Sequence, residues 1–171
     1  MSIATLQRLL ASNATSDVAL LPYLSDLCAS IGASMIADAS KLSLNVTADA
    51  STMSPDQSVS LGLIVTELAI NALKHAFPDE TQAKCHIDVA FAASPLGWVL
   101  TVSDNGRGLP GNQANATPGL GTGIVNALAS QLDASVDVTD NNPGILVTVS
   151  CAAATASKGF RRAPLEPALH S

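Results

Sequence analysis

"LGLIVTELAINALKHAFPDE", residues 61–80, is apolar enough for a buried helix, yet it carries Glu67, Asn71, Lys74 and His75 at offsets of zero, four, seven and eight. On a helical wheel these four share one arc, with Leu63, Ile70, Leu73 and Phe77 on one flank and Ile64, Leu68 and Ala72 on the other. A solvated helix face is usually wider and richer in charge, so a narrow polar strip hemmed in by core residues fits a helix that faces a cavity. The residue types suit phosphate chemistry. An amide oxygen is a hard ligand for Mg²⁺, an ammonium neutralises phosphate oxygens, and a carboxylate accepts a proton from an attacking group.

Working outward from that helix, "KLSLNVTA" (41–48) alternates Leu42, Leu44 and Val46 with polar neighbours, the period of a half-buried strand, and "STMSPDQ" (51–57) reads as a turn and the start of the helix. Before it, residues 3–10 and about 17–37 have helical spacing, with Ser16 or Asp17 placed to cap the second helix. After it, "HIDVAFAA" (86–93) and "GWVLTVSD" (97–104) are alternating runs joined at "SPLG", which predicts an antiparallel hairpin. "NGRGLPGNQANATPGLGTG" (105–123) is a long Gly, Pro and Asn loop of the kind that carries function or moves. A helix over 123–134 and two strands, "SVDVTD" and "GILVTVSCA", around the turn "NNPG" complete the order; residues 153–171 have no periodic pattern and read as a frayed tail.

With 171 residues, 47% of them hydrophobic and 13% charged, the chain suffices for one domain with a full core. Its net charge of −6 argues against a nucleic-acid or anionic-membrane surface. Cys28, Cys85 and Cys151 are far apart, odd in number and without metal-type pairing, which suits reduced thiols and the cytoplasm. The start "MSIATLQRLL" lacks the basic region and apolar run of a signal peptide.

Two further stretches carry chemistry. In "VSDNGRGLPG" (102–111) the Asn-Gly pair by itself is an ordinary turn signal, but Asp104 at a strand end can accept a hydrogen bond from an exocyclic amine such as that of adenine, while Gly106 and Gly108 permit close backbone approach. In "GLGTGIVNAL" (119–128) Gly119, Gly121 and Gly123 stand at a helix start, where free N–H groups favour anions. Neither the dinucleotide fingerprint nor the phosphate loop of the common NTPases is present.

Taken in order, "ELAINALKHAF", "DNGRG" and "GLGTGIV" resemble the N, G1 and G2 boxes of the GHKL superfamily of gyrase, the 90 kDa heat-shock chaperone, histidine kinases and MutL. Residues 61–80 look like bacterial sensor histidine kinases of the HWE/HisKA_2 class, and the similarity runs from about residue 5 to residue 150. The resemblance implies the Bergerat (HATPase_c) fold, an α/β two-layer sandwich whose mixed, mainly antiparallel sheet is covered on one face by helices, with a short lid at 109–118. It implies a division into 1–15, the end of a helical dimerisation and phosphoacceptor module; 16–152, the ATP-binding domain; and 153–171, a flexible tail. By matching position, Asn71 would coordinate Mg²⁺, Glu67 would orient or deprotonate the attacking group, Lys74 would contact phosphate and His75 the ribose or base. Asp104 would read adenine, with Gly106, Gly108, Gly119, Leu120, Gly121, Thr122 and Gly123 shaping the pocket around ATP.

Two departures matter. Ile145 stands where the family usually has a Thr that helps the Asp hold adenine, which implies weaker adenine binding. Residues 1–60 contain no histidine, so the acceptor that a histidine kinase phosphorylates is missing. The resemblance therefore implies transfer of the ATP γ-phosphoryl to a histidine on another segment, with a dimerisation module and a response regulator as protein partners and room for a homodimer. Two alternatives stand beside it: an adaptor that kept the fold and lost ATP use, and an anti-sigma-like serine kinase.

Overall fold

The computed structural model describes residues 16–78, 84–108 and 120–152, with 120–122 and a short segment at 160–162 described by their backbone alone. The helix expected at 3–10 and the lid at 109–118 lie outside the described residues. Five strands form the main sheet in the order β2 (Leu42–Ala48), β4 (Cys85–Ser94), β5 (Gly97–Asp104), β7 (Ile145–Ala152) and β6 (Ser135–Asp140). Only β2 and β4 run parallel, with Leu44 opposite Ile87 and Val46 opposite Val89. The other three pairings are antiparallel, so the sheet is mixed and mainly antiparallel as the resemblance implies. A parallel pair needs a crossover. Here it is supplied by α2 (Pro55–His75), the helix of the opening stretch.

Period-two alternation decides which face the helices cover. Ile87, Val89 and Phe91 of β4, Trp98, Leu100 and Val102 of β5, and Val149 and Cys151 of β7 are all buried. Their neighbours Ala92 and Val99 are exposed, and His86 is nearly half-exposed, so the opposite face meets solvent. Against the buried face lie α1 (Leu20–Met35), through Leu20, Leu24, Leu27 and Ile31, α2, through Leu61, Ile64, Val65 and Ala69, and α3 (Leu120–Gln131), through Val125 and Ala129. Each fully buried Leu or Ile contributes roughly 1.5–3 kcal/mol relative to an exposed one. That burial fixes the helices on one side of the sheet.

Helix α2 starts where local chemistry directs it, with Pro55 at its first position, Asp56 in the first turn, and Lys74 and His75 in the last turn to complement the dipole. Gly62 sits beneath Tyr23 of α1, where a Cβ would collide with the tyrosine hydroxyl. The Tyr23 hydroxyl is buried with no hydrogen-bond partner among the described residues, and its pKa is pushed up to about 12 by burial.

Three local expectations give way to tertiary pairing. Neither Ser16 nor Asp17 caps α1: Val18–Ala19 forms a short strand, β1, opposite Thr52–Met53, so Ala19 takes the cap position with no side-chain bond. Ser51–Met53, expected as a turn, is strand β3, with Ser51 and Met53 almost fully buried. Phe160–Arg162, in the stretch expected to be a frayed tail, is strand β8 and pairs antiparallel with β3. Strands of two or three residues carry no readable alternation, so only their partners identify them.

Candidate nucleotide site

The last residue of β5 is Asp104, paired in register with Ile87 and 5% exposed. Its Oδ1 accepts the Gly106 N–H at 2.9 Å and the Ile145 N–H at 3.4 Å. Its backbone oxygen accepts the Asn141 Nδ2–H at 3.1 Å. Burial raises the Asp104 pKa above 3.8, opposed by these two backbone amides and by the charge of His86. No hydrogen bond among the described residues engages Oδ2, so one oxygen is fixed by the protein and the other has no partner among them. Ile145 thus meets Asp104 through its backbone N–H, whatever its side chain lacks.

Glycines make this arrangement possible at two close approaches. Gly144 has φ +104°, and a Cβ there would strike the Asp104 carbonyl. Gly106 lies against Ala76, the cap residue of α2, where a Cβ would meet the Ala76 backbone and side chain. In the same turn the Arg107 N–H donates to the Ala76 oxygen at 2.9 Å. Gly108, at φ +75°, stands beside Asp140 and Gly144. The room that Gly106 leaves is therefore used by Ala76, which joins the loop after Asp104 to the end of α2, and the room at Gly108 is used by Asp140 and Gly144. Arg107 is exposed.

That end of α2 is the end of the polar strip. Glu67 and Asn71 are half-buried, while Lys74 and His75 are exposed. Leu63, Leu68, Ile70, Ala72, Leu73 and Phe77 are partly buried against the core, with Ile64 fully inside, so the strip is flanked by apolar residues as its sequence spacing predicts. Among the described residues no hydrogen bond or ion pair occupies Glu67, Asn71, Lys74 or His75. The Asn71 side-chain amide, partly desolvated and without a partner among the described residues, is a hard oxygen donor of the kind that fits Mg²⁺ shared with phosphate oxygens, and Glu67 stands one turn before it.

The third stretch opens a helix. Helix α3 begins at Leu120, three residues before the expected start, so Gly121, Thr122 and Gly123 lie in the first turn, where backbone N–H groups have no intrahelical acceptor. Gly123 is exposed, with open space where a Cβ would stand. Gly119 lies outside the described residues. Helix α3 rests on α2, with Ser60 Oγ donating to Gln131 Oε1 at 3.3 Å.

Asn105, Asn141 and Gly144 were missed as contributors to the site. The resemblance implied that Ile145, the residue after Gly144, stands near Asp104, but the turn chemistry of "NNPG" did not show that Gly144 itself must be small to lie against the Asp104 carbonyl.

A family model described as the histidine kinase-like ATPase domain matches residues 36–150. The chain is 32% identical over 113 residues to blue-light-activated histidine kinase 2 of Erythrobacter litoralis, a match covering 63% of this chain and 31% of that protein. With sensor histidine kinase PdtaS of Mycolicibacterium smegmatis it shares 31% identity over 99 residues, 57% of this chain and 20% of that protein. The chain thus spans about a third or less of the length of these curated relatives. Among solved structures, the histidine kinase domain of the Erythrobacter litoralis EL346 blue-light-activated kinase superposes with a TM-score of 0.70 at 27% identity, covering 81% of this chain and 63% of that one. Mycobacterial sensor histidine kinase MprB, at 18% identity and a TM-score of 0.60, covers 80% of this chain and 97% of that one, and shares the fold.

Proposed function

This chain belongs to the histidine kinase-like ATPase domain family, and on that premise we propose that it is the ATP-binding catalytic domain of a bacterial two-component sensor histidine kinase of the HWE/HisKA_2 class. The observation that carries the reading is Asp104, a buried carboxylate with one oxygen held by two backbone amides and the other left open, fastened through Gly106 and Arg107 to the end of the α2 strip. Adenine's exocyclic amine donates to Asp104. The triphosphate extends toward α2 and the first turn of α3, where Lys74 and the free amides of residues 120–123 offset its charge.

Mg²⁺ when bound neutralises charge on the phosphates, and Asn71 is the residue that holds it. The P–O bond to ADP breaks as a bond forms between phosphorus and an imidazole nitrogen of a histidine outside this segment, and Glu67 orients that imidazole or takes its proton. His75 packs against the ribose or base. Positioning and charge neutralisation supply most of the rate, because phosphoryl transfer asks little covalent work of the protein. Residues 16–152 form the working domain in this reading, 1–15 end the dimerisation and acceptor module, and Phe160–Arg162 returns to that domain by pairing with β3. A response regulator then receives the phosphoryl group. No helix among the described residues is long and apolar enough to cross a membrane, and a cytoplasmic place suits the use of ATP.

Calorimetric titration with a non-hydrolysable ATP analogue, with and without Mg²⁺, tests the binding half. Transfer of label from γ-labelled ATP to a separately supplied histidine-bearing helical module tests the chemical half. Magnesium-dependent binding followed by acid-labile, alkali-stable labelling is expected; absence of binding at millimolar nucleotide would leave an adaptor as the better account.

A further inference from the structure

The antiparallel ladder between β4 and β5 ends at the pair Ile87 and Asp104, and the next residue continues it with its side chain. Asn105 donates its backbone N–H to the His86 oxygen at 3.3 Å. Its Oδ1 then accepts the His86 N–H at 2.8 Å, and its Nδ2 donates to the Lys84 oxygen at 2.8 Å. A side-chain amide presents the same donor and acceptor pair as a peptide group, so Asn105 acts as one more rung of the sheet.

That rung lies between Asp104 and Gly106, whose N–H turns back onto Asp104 Oδ1 at 2.9 Å. Without the Asn105 side-chain bonds the turn would keep its backbone bond to His86 and its packing on Ala76 but lose its anchor to the start of β4, and the Gly106 amide that helps set the rotation of the carboxylate would be aimed less sharply.

We propose that Asn105 is a positioning residue for base recognition: by stitching the exit of β5 to the start of β4, it fixes the direction of the Asp104 carboxylate and thereby the preference for a 6-amino purine over a 6-oxo purine. The inference rests on the reading of Asp104 as the adenine contact. It requires both halves of the amide. Alanine removes both bonds, and aspartate keeps the acceptor for His86 but sets an oxygen against the Lys84 carbonyl.

The test is binding of ADP and of IDP, which differ at the exocyclic amine, to the wild-type chain, Asn105→Ala and Asn105→Asp, with the thermal midpoint of each recorded. Wild type is expected to prefer ADP by about tenfold, the worth of one well-placed bond to a charged acceptor. Both variants are expected to bring the ratio toward one while IDP affinity stays within about twofold, a pattern that general loosening of the fold does not produce. Loss of ADP and IDP affinity in equal proportion, or an unchanged ratio in either variant, overturns the role of Asn105 while leaving the adenine reading intact. Wild type binding both nucleotides equally overturns the adenine reading itself, and this inference with it. Should Asn105→Ala fail to fold, the isosteric Asn105→Asp decides alone.

Discussion

Asp104 and the Glu67–Asn71 pair are polar groups set among apolar neighbours, but they are held in opposite ways. Asp104 is 5% exposed, with one carboxylate oxygen bonded to the backbone of Gly106 and Ile145. Glu67 and Asn71 stand half-buried on α2 with no bond to the rest of the described chain. One end of the candidate site is part of the folded framework, and the other is displayed by it. A group bonded into the backbone couples recognition to folding, whereas a displayed group can be altered with little effect on stability, because no protein bond is lost.

The sharpest way to break that contrast is at the displayed end. Glu67→Ala or Asn71→Ala should lower the rate of phosphoryl transfer to a supplied acceptor by about 10³-fold, while the thermal midpoint moves by no more than ~2 °C. A melt shifted as far as that of a core truncation would mean that these side chains belong to the framework after all.

At the framework end, Gly144→Ala forces a side chain into φ +104° and against the Asp104 carbonyl. It should cost about 3 kcal/mol of stability, read by denaturant unfolding. An unperturbed unfolding curve would show that the turn yields cheaply and that Asp104 is not rigidly seated.

Asp104→Asn separates the two roles of one residue. Nucleotide affinity should fall by about 10–100-fold, the loss of a hydrogen bond to a charged acceptor. Folding stability at neutral pH should hold or rise, since the desolvation that raises the carboxyl's pKa is relieved. The sign follows from linkage: with the folded pKa above the ordinary 3.8, the ionised carboxylate costs stability at any pH above the folded value, and that cost fades as pH falls through it. The stability difference between variant and wild type should therefore narrow in acid. A gap that widens there would reverse the assignment of burial as the dominant cause.

The smallest effect is expected away from both ends. Tyr23→Phe removes a buried hydroxyl above Gly62 that has no partner among the described residues, and should leave stability unchanged or raise it by about 1 kcal/mol, with nucleotide binding unaffected. A marked loss in chemical denaturation would point to a water-mediated partner for that hydroxyl.

Much of this contrast was legible from residue order. The strip on α2 follows from 3.6-residue spacing alone, and its apolar flanks are where that spacing puts them. The hairpin of β4 and β5 follows from two alternating runs around "SPLG", and β6 with β7 from the turn at Asn141–Gly144. What escaped reading was the work of residues whose partners are distant in sequence. Asn105 reads as half of a common Asn-Gly turn, and only the position of β4 reveals that its amide completes a sheet edge. Gly106 reads as room for a ligand, and only the arrival of Ala76 shows that the chain fills that room itself.

The sequence by itself determined the periodicities, the turn chemistry and the three motifs, and through their order the family, because these are local properties written within a few turns of helix or a few residues of strand. The tertiary structure alone decided that β2 pairs parallel with β4, that Ser51–Met53 is a strand between β1 and β8, and that the loop after Asp104 is fastened to the end of α2. Those features rest on backbone groups finding partners tens of residues away, and a backbone N–H or carbonyl is the same at every position until folding brings it a neighbour.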